Sequence, residues 1–315
     1  MENKFYAAIE QSNTIALFTH VRPDGDALGS TLALAEALET FWHKTVFMFC
    51  ETPIPERFRY LKGSERIQTQ GKPQADLFLS LDCGDLTRLG IFAQDFMRHK
   101  NSGNIDHHAS NTRFAKWNCV KPYASCSEIV FELLQNKGVP LSLTMATALF
   151  TGLSTDTGNF SHSNTDTHAF LTAAALTEAK APVKEINDRL YKSVPFRKWK
   201  LLSRVLGNLR SYDDGKIVLI YTLKQDLEAT GNLLTDTESF VDYAVEVDTA
   251  EVGIALCEQG PNVYKVSMRS KGKVDVCSAC SVFGGGGHKM ASGCLVSGFF
   301  EDVVDKVLKS VRDEL

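Results

Sequence analysis

Four short apolar runs in this chain each end in a carboxylate or an imidazole, and that recurrence constrains the fold more than any other feature. Ile15-Ala16-Leu17-Phe18-Thr19 runs into His20-Val21-Arg22-Pro23-Asp24-Gly25-Asp26, and Asp76-Leu77-Phe78-Leu79-Ser80-Leu81 stops at Asp82. Gly103-Asn104-Ile105 ends in Asp106-His107-His108, and the apolar stretch from Leu143 to Leu153 leads to Asp156. Ionised groups are too costly to bury unpaired, so their repeated placement at the ends of apolar segments means that they share something cationic. The simplest shared object is a metal centre.

The segments between these clusters follow a helical period. Ala27–Phe41 is rich in Ala and Leu, a further strand is predicted over Thr45–Phe49, and Cys126–Asn136 and Leu143–Leu153 read as helices. Strand and helix in alternation predict an α/β fold, a parallel sheet covered by helices on both faces. Ligands of such sheets bind beyond the carboxyl ends of the strands. His20, Asp82 and Asp106 would therefore line one edge, with Asp156 arriving from a helix end.

Helical patterns continue through Thr167–Ala179, Pro182–Lys192 and Phe196–Leu209, and a polar turn cluster follows at Ser211-Tyr212-Asp213-Asp214-Gly215. Beyond it, Lys216–Thr222, Ala250–Cys257 and Val263–Met268 read as strands. Leu234–Ala244, Val274–Phe283 and Glu301–Arg312 read as helices. With 315 residues available, the expected division is a metal-binding domain over 1–195, a helical connector over 196–214 and a smaller α/β domain over 215–315.

Charge narrows the partners. The net charge is −4, with +3 on residues 1–210 and −7 on residues 211–315. Neither part is the basic platform that long duplex nucleic acid demands, so a short RNA or a small phosphorylated nucleotide is the better fit. No apolar run reaches the length of a membrane span, and Met1-Glu2-Asn3-Lys4 does not begin a secretory signal. The eight cysteines show no disulfide framework, which suits a reducing compartment, and a cytoplasmic location is expected. A homodimer is compatible with these features.

His20, Asp24, Asp26, Asp82, His107 and Asp156 make six candidate ligands, too many for one ion. Two ions sharing one carboxylate would use the set, an arrangement suited to phosphoryl displacement. Oxygen donors with a minority of imidazole and no thiolate favour Mn²⁺, or Mg²⁺, over structural zinc. Such ions would lower the pKa of a bridging water, and the resulting hydroxide would attack phosphorus in line.

A second cluster lies far downstream. Four glycines at 284–287 precede His288 and Lys289, and free backbone N–H groups there would form an anion-binding concavity. Upstream, Arg269-Ser270 follows a predicted strand, and a guanidinium suits bidentate capture of a phosphate. Cys277 and Cys280, with His288 and Cys294, could instead be drawn as a zinc site, but both cysteines also fit adjacent turns of one apolar helix.

These motifs resemble those of the DHH phosphoesterase superfamily. His20/Asp24/Asp26 with Gly29-Ser30, Asp82, Asp106-His107-His108 and Thr155-Asp156-Thr157-Gly158 match its amino-domain pattern. Arg269-Ser270 and Gly285-Gly286-Gly287-His288 match the substrate-binding elements of its DHHA1 domain. In domain order the chain is similar to bacterial oligoribonucleases (nanoRNases) that also act as 3′-phosphoadenosine 5′-phosphate (pAp) phosphatases. The resemblance implies that His20, Asp24 and Asp82 hold one Mn²⁺ and that Asp26, Asp82, His107 and Asp156 hold the other. It implies a phosphate-contacting role for His108, with Asn111 and Arg113 as further phosphate or nucleotide contacts. Arg269, Ser270, Gly285, Gly286, Gly287 and His288 would grip the substrate. Asp82, His108 and Arg113 are the expected catalytic residues, and Asp106 would orient its neighbours. The alternative activity is a phosphodiesterase for cyclic di-AMP or linear pApA. A family II pyrophosphatase fits less well, because its basic Ser-Arg-Lys-Lys type element is missing.

Overall fold

A computed structural model describes residues 2–315, which form two compact units, one reaching Ser193 and the other running from Val194 to Leu315. In the first unit the elements are α1 (Glu2–Glu10), β1 (Thr14–Phe18), α2 (Gly25–Thr40), β2 (Thr45–Phe49), β3 (Leu77–Leu81), α3 (Ala93–Arg98) and β4 (Ser102–Asp106). They continue with β5 (Trp117–Val120), α4 (Cys126–Asn136), α5 (Leu143–Asp156), α6 (Thr167–Glu178) and α7 (Val183–Asn187).

The five strands pair in the order β2-β1-β3-β4-β5, all parallel. One sheet face packs on α2, α4 and α5 through residues such as Ile15, Leu17, Leu79 and Leu149. The other carries Phe18, Phe49, Phe78, Phe92 and Phe96, whose rings lie 5.0–6.3 Å apart. This is the α/β architecture with both faces covered that the apolar alternation predicts. The chain reverses direction across the sheet between β1 and β3, and loops leaving a sheet at such a switch point splay apart to make a crevice. His20 and Asp82 stand just past those two strands.

Helix α2 is buried nearly all round, from Gly25 through Ala35. Its small residues permit that depth: a Cβ on Gly29 would collide with the Ala148 carbonyl of α5, so glycine lets the two helices touch backbone to backbone. Asp24 caps α2, its Oδ1 accepting the N–H groups of Asp26 and Ala27 at 3.0 Å each.

The second unit comprises α8 (Phe196–Gly207), β6 (Arg210–Tyr212), β7 (Ile217–Thr222), α9 (Lys224–Thr230), α10 (Phe240–Val245), β8 (Val252–Gly260) and β9 (Val263–Ser270). After these come α11 (Val276–Ser281), β10 (Gly286–His288), β11 (Ala291–Ser297) and α12 (Phe300–Arg312). Its sheet runs β10-β11-β9-β8-β7-β6, antiparallel except for β7 with β8. Helix α12 buries Val303, Val304, Val307, Leu308 and Val311 against one face, a stripe at helical spacing. Leu201, Leu202, Leu227, Phe240 and Ala244 cover Val218 and Ile220 on the other.

Two expectations need correction here. Ser211 and Tyr212, read as part of a turn, belong to β6, where they pair with Val218 and Ile217. The glycine tetrad is not a loop of free amides. Gly284 and Gly285 donate to the carbonyls of Ser281 and Cys280, and Gly286–His288 form β10 against β11. Glycine carries no strand propensity, so the pairing comes from the partner strand and is invisible in the residue types.

Candidate metal centre

The centre is built on the carboxyl edge of the parallel sheet. His20 leaves β1 with its ring almost fully buried, and its Nε2 lies 3.6 Å from Asp24 Oδ2 and 3.5 Å from Asp82 Oδ2. Asp24 thus uses one oxygen to cap α2 and turns the other toward His20. Asp82, past β3, adopts a left-handed backbone with φ 55°, a conformation costly for a residue with a Cβ and frequent at functional sites. Its Oδ1 faces His107 Nε2 at 3.4 Å, and His107 Nε2 also lies 3.1 Å from Asp156 Oδ2 and 4.0 Å from Asp26 Oδ2.

Three sets of ligand atoms converge within 4.8 Å: His20, Asp24 and Asp82; Asp26, His107 and Asp156; and Asp82, His107 and His108. Within them His20 Nε2, Asp82 Oδ1 and His107 Nε2 are buried and make no hydrogen bond of proper geometry. Buried polar atoms seldom go unpartnered, so these orphans, in a set of carboxylates and imidazoles, fit a divalent cation.

The charges of the centre act on one another at close range. Burial pulls the His20 imidazole down, but Asp24 and Asp82 outweigh it and push the group up to about 10. His107 is likewise depressed by burial and lifted by Asp156, Asp82 and Asp26, to about 12. Burial would raise Asp82, yet the two imidazoles hold its carboxyl well below the usual range. Asp26 moves the opposite way, raised by its own burial and by the charges of Asp82 and Asp156. Protons stand in for cations in this arrangement, and a metal would replace them.

Surrounding groups aim the ligands. The Nδ1 of His107 lies 3.2 Å from the Tyr123 carbonyl, and donating Nδ1–H there presents Nε2 as the ligand atom; the Nδ1 of His20 lies 2.9 Å from the Val21 carbonyl, on the ring edge away from Asp24 and Asp82. Asp26 accepts the N–H groups of Cys126 and Ser127, at 2.6 and 2.8 Å, where α4 begins, so a helix amino terminus steadies this carboxylate.

His108 differs from the other two imidazoles. Its Nδ1 meets Asp106 Oδ1 at 2.8 Å, and this contact, acting against burial, raises its pKa. Asp106 is buried, and its second oxygen accepts Asn111 Nδ2 at 2.5 Å. Asn111 also donates to Asn104 Oδ1, and Asn104 donates to Ser80 Oγ and the Cys83 carbonyl. The Asn111 amide is therefore turned inward onto the triplet, while Arg113 is exposed with a left-handed backbone, φ 54°.

Arg88 and Asn164 carried no signal in the sequence, while His162 and His168 follow the Asp156 motif without matching a ligand pattern. Arg88 Nη2 lies 2.9 Å from His20 Nδ1, although no motif marks it. His162 Nδ1 contacts the Asp156 carbonyl at 3.3 Å, and Asn164 donates to the carbonyls of Asp156 and Ala124. His168 pairs with buried Glu128 at 2.8 Å and its ring lies tilted against Tyr123, centroids 4.3 Å apart, the residue whose carbonyl meets His107.

In the second unit Arg269 lies opposite Ala291 across β9 and β11, and Ala291 lies opposite His288 across β11 and β10. One line across the sheet thus joins the guanidinium and the imidazole. Ser270 is buried, its hydroxyl accepting Gly272 N–H. Gly285 packs on Cys294, where a Cβ would collide. Gly287 has a left-handed φ of 153° beside Ser292. Cys277 Sγ donates to the Gly287 carbonyl, and Cys277, Cys280, His288 and Cys294 form no ligand cluster among the described residues.

Comparison with known proteins gives two matches along the chain: the DHH family, N-terminal domain, over residues 14–153, and the DHHA1 domain over residues 236–315. The bifunctional oligoribonuclease and PAP phosphatase NrnA of Thermus thermophilus is 31% identical over 309 residues, spanning 96% of this chain and 90% of its own. The Mycoplasma pneumoniae protein of the same name is 28% identical over 325 residues, spanning 98% and 91%. Among solved structures, an exopolyphosphatase-related protein from Bacteroides fragilis matches with a TM-score of 0.91 at 25% identity, covering 99% of this chain and 95% of that one.

Proposed function

The chain belongs to the DHH family of phosphoesterases, and from that premise we propose that it hydrolyses short oligoribonucleotides from an end and removes a phosphate from pAp, using two Mn²⁺ ions. The observation that carries this reading is the Asp82 carboxylate, whose two oxygens face different imidazoles, His20 and His107. His20, Asp24 and Asp82 would hold one ion; Asp26, Asp82, His107 and Asp156 the other. When bound, such a pair supplies Lewis-acid neutralisation of phosphoryl charge and acidifies water near neutral pH; Mg²⁺ could substitute.

The chain's own groups do the rest. Asp106 accepts the Nδ1–H of His108 and favours its imidazolium form, whose Nε2–H is then left to donate to a phosphoryl oxygen. Arg113, exposed beside the triplet, adds a movable positive charge for the same oxygens. Asn111 acts through Asp106 and fixes the ring rather than the substrate. Arg269 and His288, aligned across β9, β11 and β10, are the second unit's contacts for a phosphate or base, with the small side of the glycine strand admitting it closely. The names of the Thermus and Mycoplasma relatives support short RNA and pAp as the substrates.

The test is a side-by-side assay of the purified chain with Mn²⁺ on pAp, RNAs of two to five nucleotides, pApA, cyclic di-AMP and pyrophosphate. Cleavage of pAp and short RNA is expected. Cleavage confined to pyrophosphate, or to the diadenylates, would overturn the assignment.

A further inference from the structure

Strand β9 carries more than Arg269 on its open face. Side chains alternate along a strand, so Lys265, Ser267 and Arg269 project from one side. There they line a cavity of about 300 Å³ together with Thr222, Cys257 and the loop leading into α10. The volume is at the lower end of small-ligand pockets, enough for one nucleotide.

The cavity opens where the apolar cover of this face stops. Ile220 is packed under Phe240, but Thr222, two residues further along β7, brings a hydroxyl to the wall. Cys257 and Ser267 continue the polar floor, and Ser239, with a left-handed φ of 69°, stands at the rim beside Glu238. A cavity of this composition does not suit an apolar ligand.

Two cations bracket it. Arg269 is 37% exposed and lies 3.3 Å from Asp242, while Lys265 is exposed and joins no ion pair among the described residues. Four residues of strand separate their Cα atoms by ~13 Å. Leu295, directly opposite Lys265 in the register, is 61% exposed and offers an apolar surface to a base. Glu238 offers an acceptor for a ribose hydroxyl or an exocyclic amine.

We propose that this cavity is a second nucleotide subsite, in which Lys265 takes the phosphodiester of a nucleotide beyond the one held at Arg269. The proposal rests on the reading of Arg269 as a substrate contact. With its one nucleoside held at Arg269, pAp has no further phosphodiester to offer Lys265; an RNA of several nucleotides has. Lys265 is therefore a length-sensing contact that separates short RNA from pAp.

The experiment compares Lys265→Ala with the parent chain on pAp and on RNAs of two, three, four and five nucleotides. The side chain is solvent-exposed, so the fold is retained. KM for the four- and five-nucleotide RNAs should rise about tenfold, with kcat unchanged and KM for pAp within about twofold. On the pentanucleotide, the slope of log KM against log salt should fall by about 0.7, the share of one phosphate contact on a single strand. Lys265→Arg should restore both. An equal change on pAp and pentanucleotide, or no change on either, would overturn the subsite. Arg269→Ala should weaken every substrate, pAp included. Indifference of all lengths to Arg269→Ala would instead remove the premise that this sheet face holds substrate, whatever Lys265→Ala does.

Discussion

His20 and His107 confront the same carboxylate from opposite sides, each Nε2 about 3.5 Å from a different oxygen of Asp82. The two rings come from the ends of β1 and β4, with β3 between them. Parallel pairing places these strand ends side by side, so the sheet itself sets the spacing of the centre. The left-handed backbone at Asp82 turns the carboxylate between the rings.

Proton and metal should compete for this centre. Without metal, His20 and His107 titrate near 10 and 12, far above the ordinary 6.5. The stability they lend is complete below about pH 6.5 and fades as pH rises through those values. A cation needs the unprotonated Nε2, so binding must expel protons. Calorimetry in buffers of different ionisation enthalpy should show proton release, with Mn²⁺ affinity rising between about pH 6 and 9. An affinity indifferent to pH, without proton release, would mean that the rings are neutral in the metal-free protein.

Asn111→Ala removes the donor that holds Asp106. With the carboxylate freed, the His108 ring loses its fixed orientation and the partner that keeps it protonated, and kcat should fall about 10–100-fold while KM for pAp changes little. Asn111→Asp, which places a second carboxylate beside Asp106, should be no better. A rise in KM with kcat intact would instead make Asn111 a direct substrate contact.

His108→Gln separates two roles for the last residue of the triplet. If it steadies a phosphoryl oxygen, the variant keeps its full complement of Mn²⁺ and loses about 10²-fold or more in kcat. Loss of one bound ion from the variant, read by metal analysis after dialysis, would show that His108 is a ligand.

Gly152→Ala couples stability to the centre. The added methyl group would collide with Ser127 Oγ and lie 2.7 Å from Asp26 Oδ1. Overpacking of this kind costs about 1–3 kcal/mol, read in urea unfolding. Because Asp26 would have to move, Mn²⁺ affinity should weaken too. An unchanged affinity with lowered stability would show that α5 shifts and leaves the carboxylate in place.

Much of this was legible because burying charge is costly. His20, Asp82 and Asp106 stand out against the apolar runs before them, and parallel strands bring such ends to one edge. The supporting groups were not legible. Asn104 looks like any strand residue until its amide is seen between Ser80 and Asn111, and Arg88 reaches His20 through three-dimensional proximity alone. Strands β5 and β11 were missed because Trp117–Val120 is short and β11 mixes Gly293 and serines with its apolar positions. Gly286–His288 form a strand only because β11 supplies the partner.

The shared carboxylate is the claim on which the rest depends, and counting metal tests it most directly. Dialysed against Mn²⁺ and analysed for bound metal, the parent chain should hold two ions. Asp82→Asn, equal in size and still folded, should hold at most one and lose turnover on pAp and short RNA by about 10³-fold. A parent chain that binds a single ion, or an Asp82→Asn variant with two ions and undiminished turnover, would contradict the account.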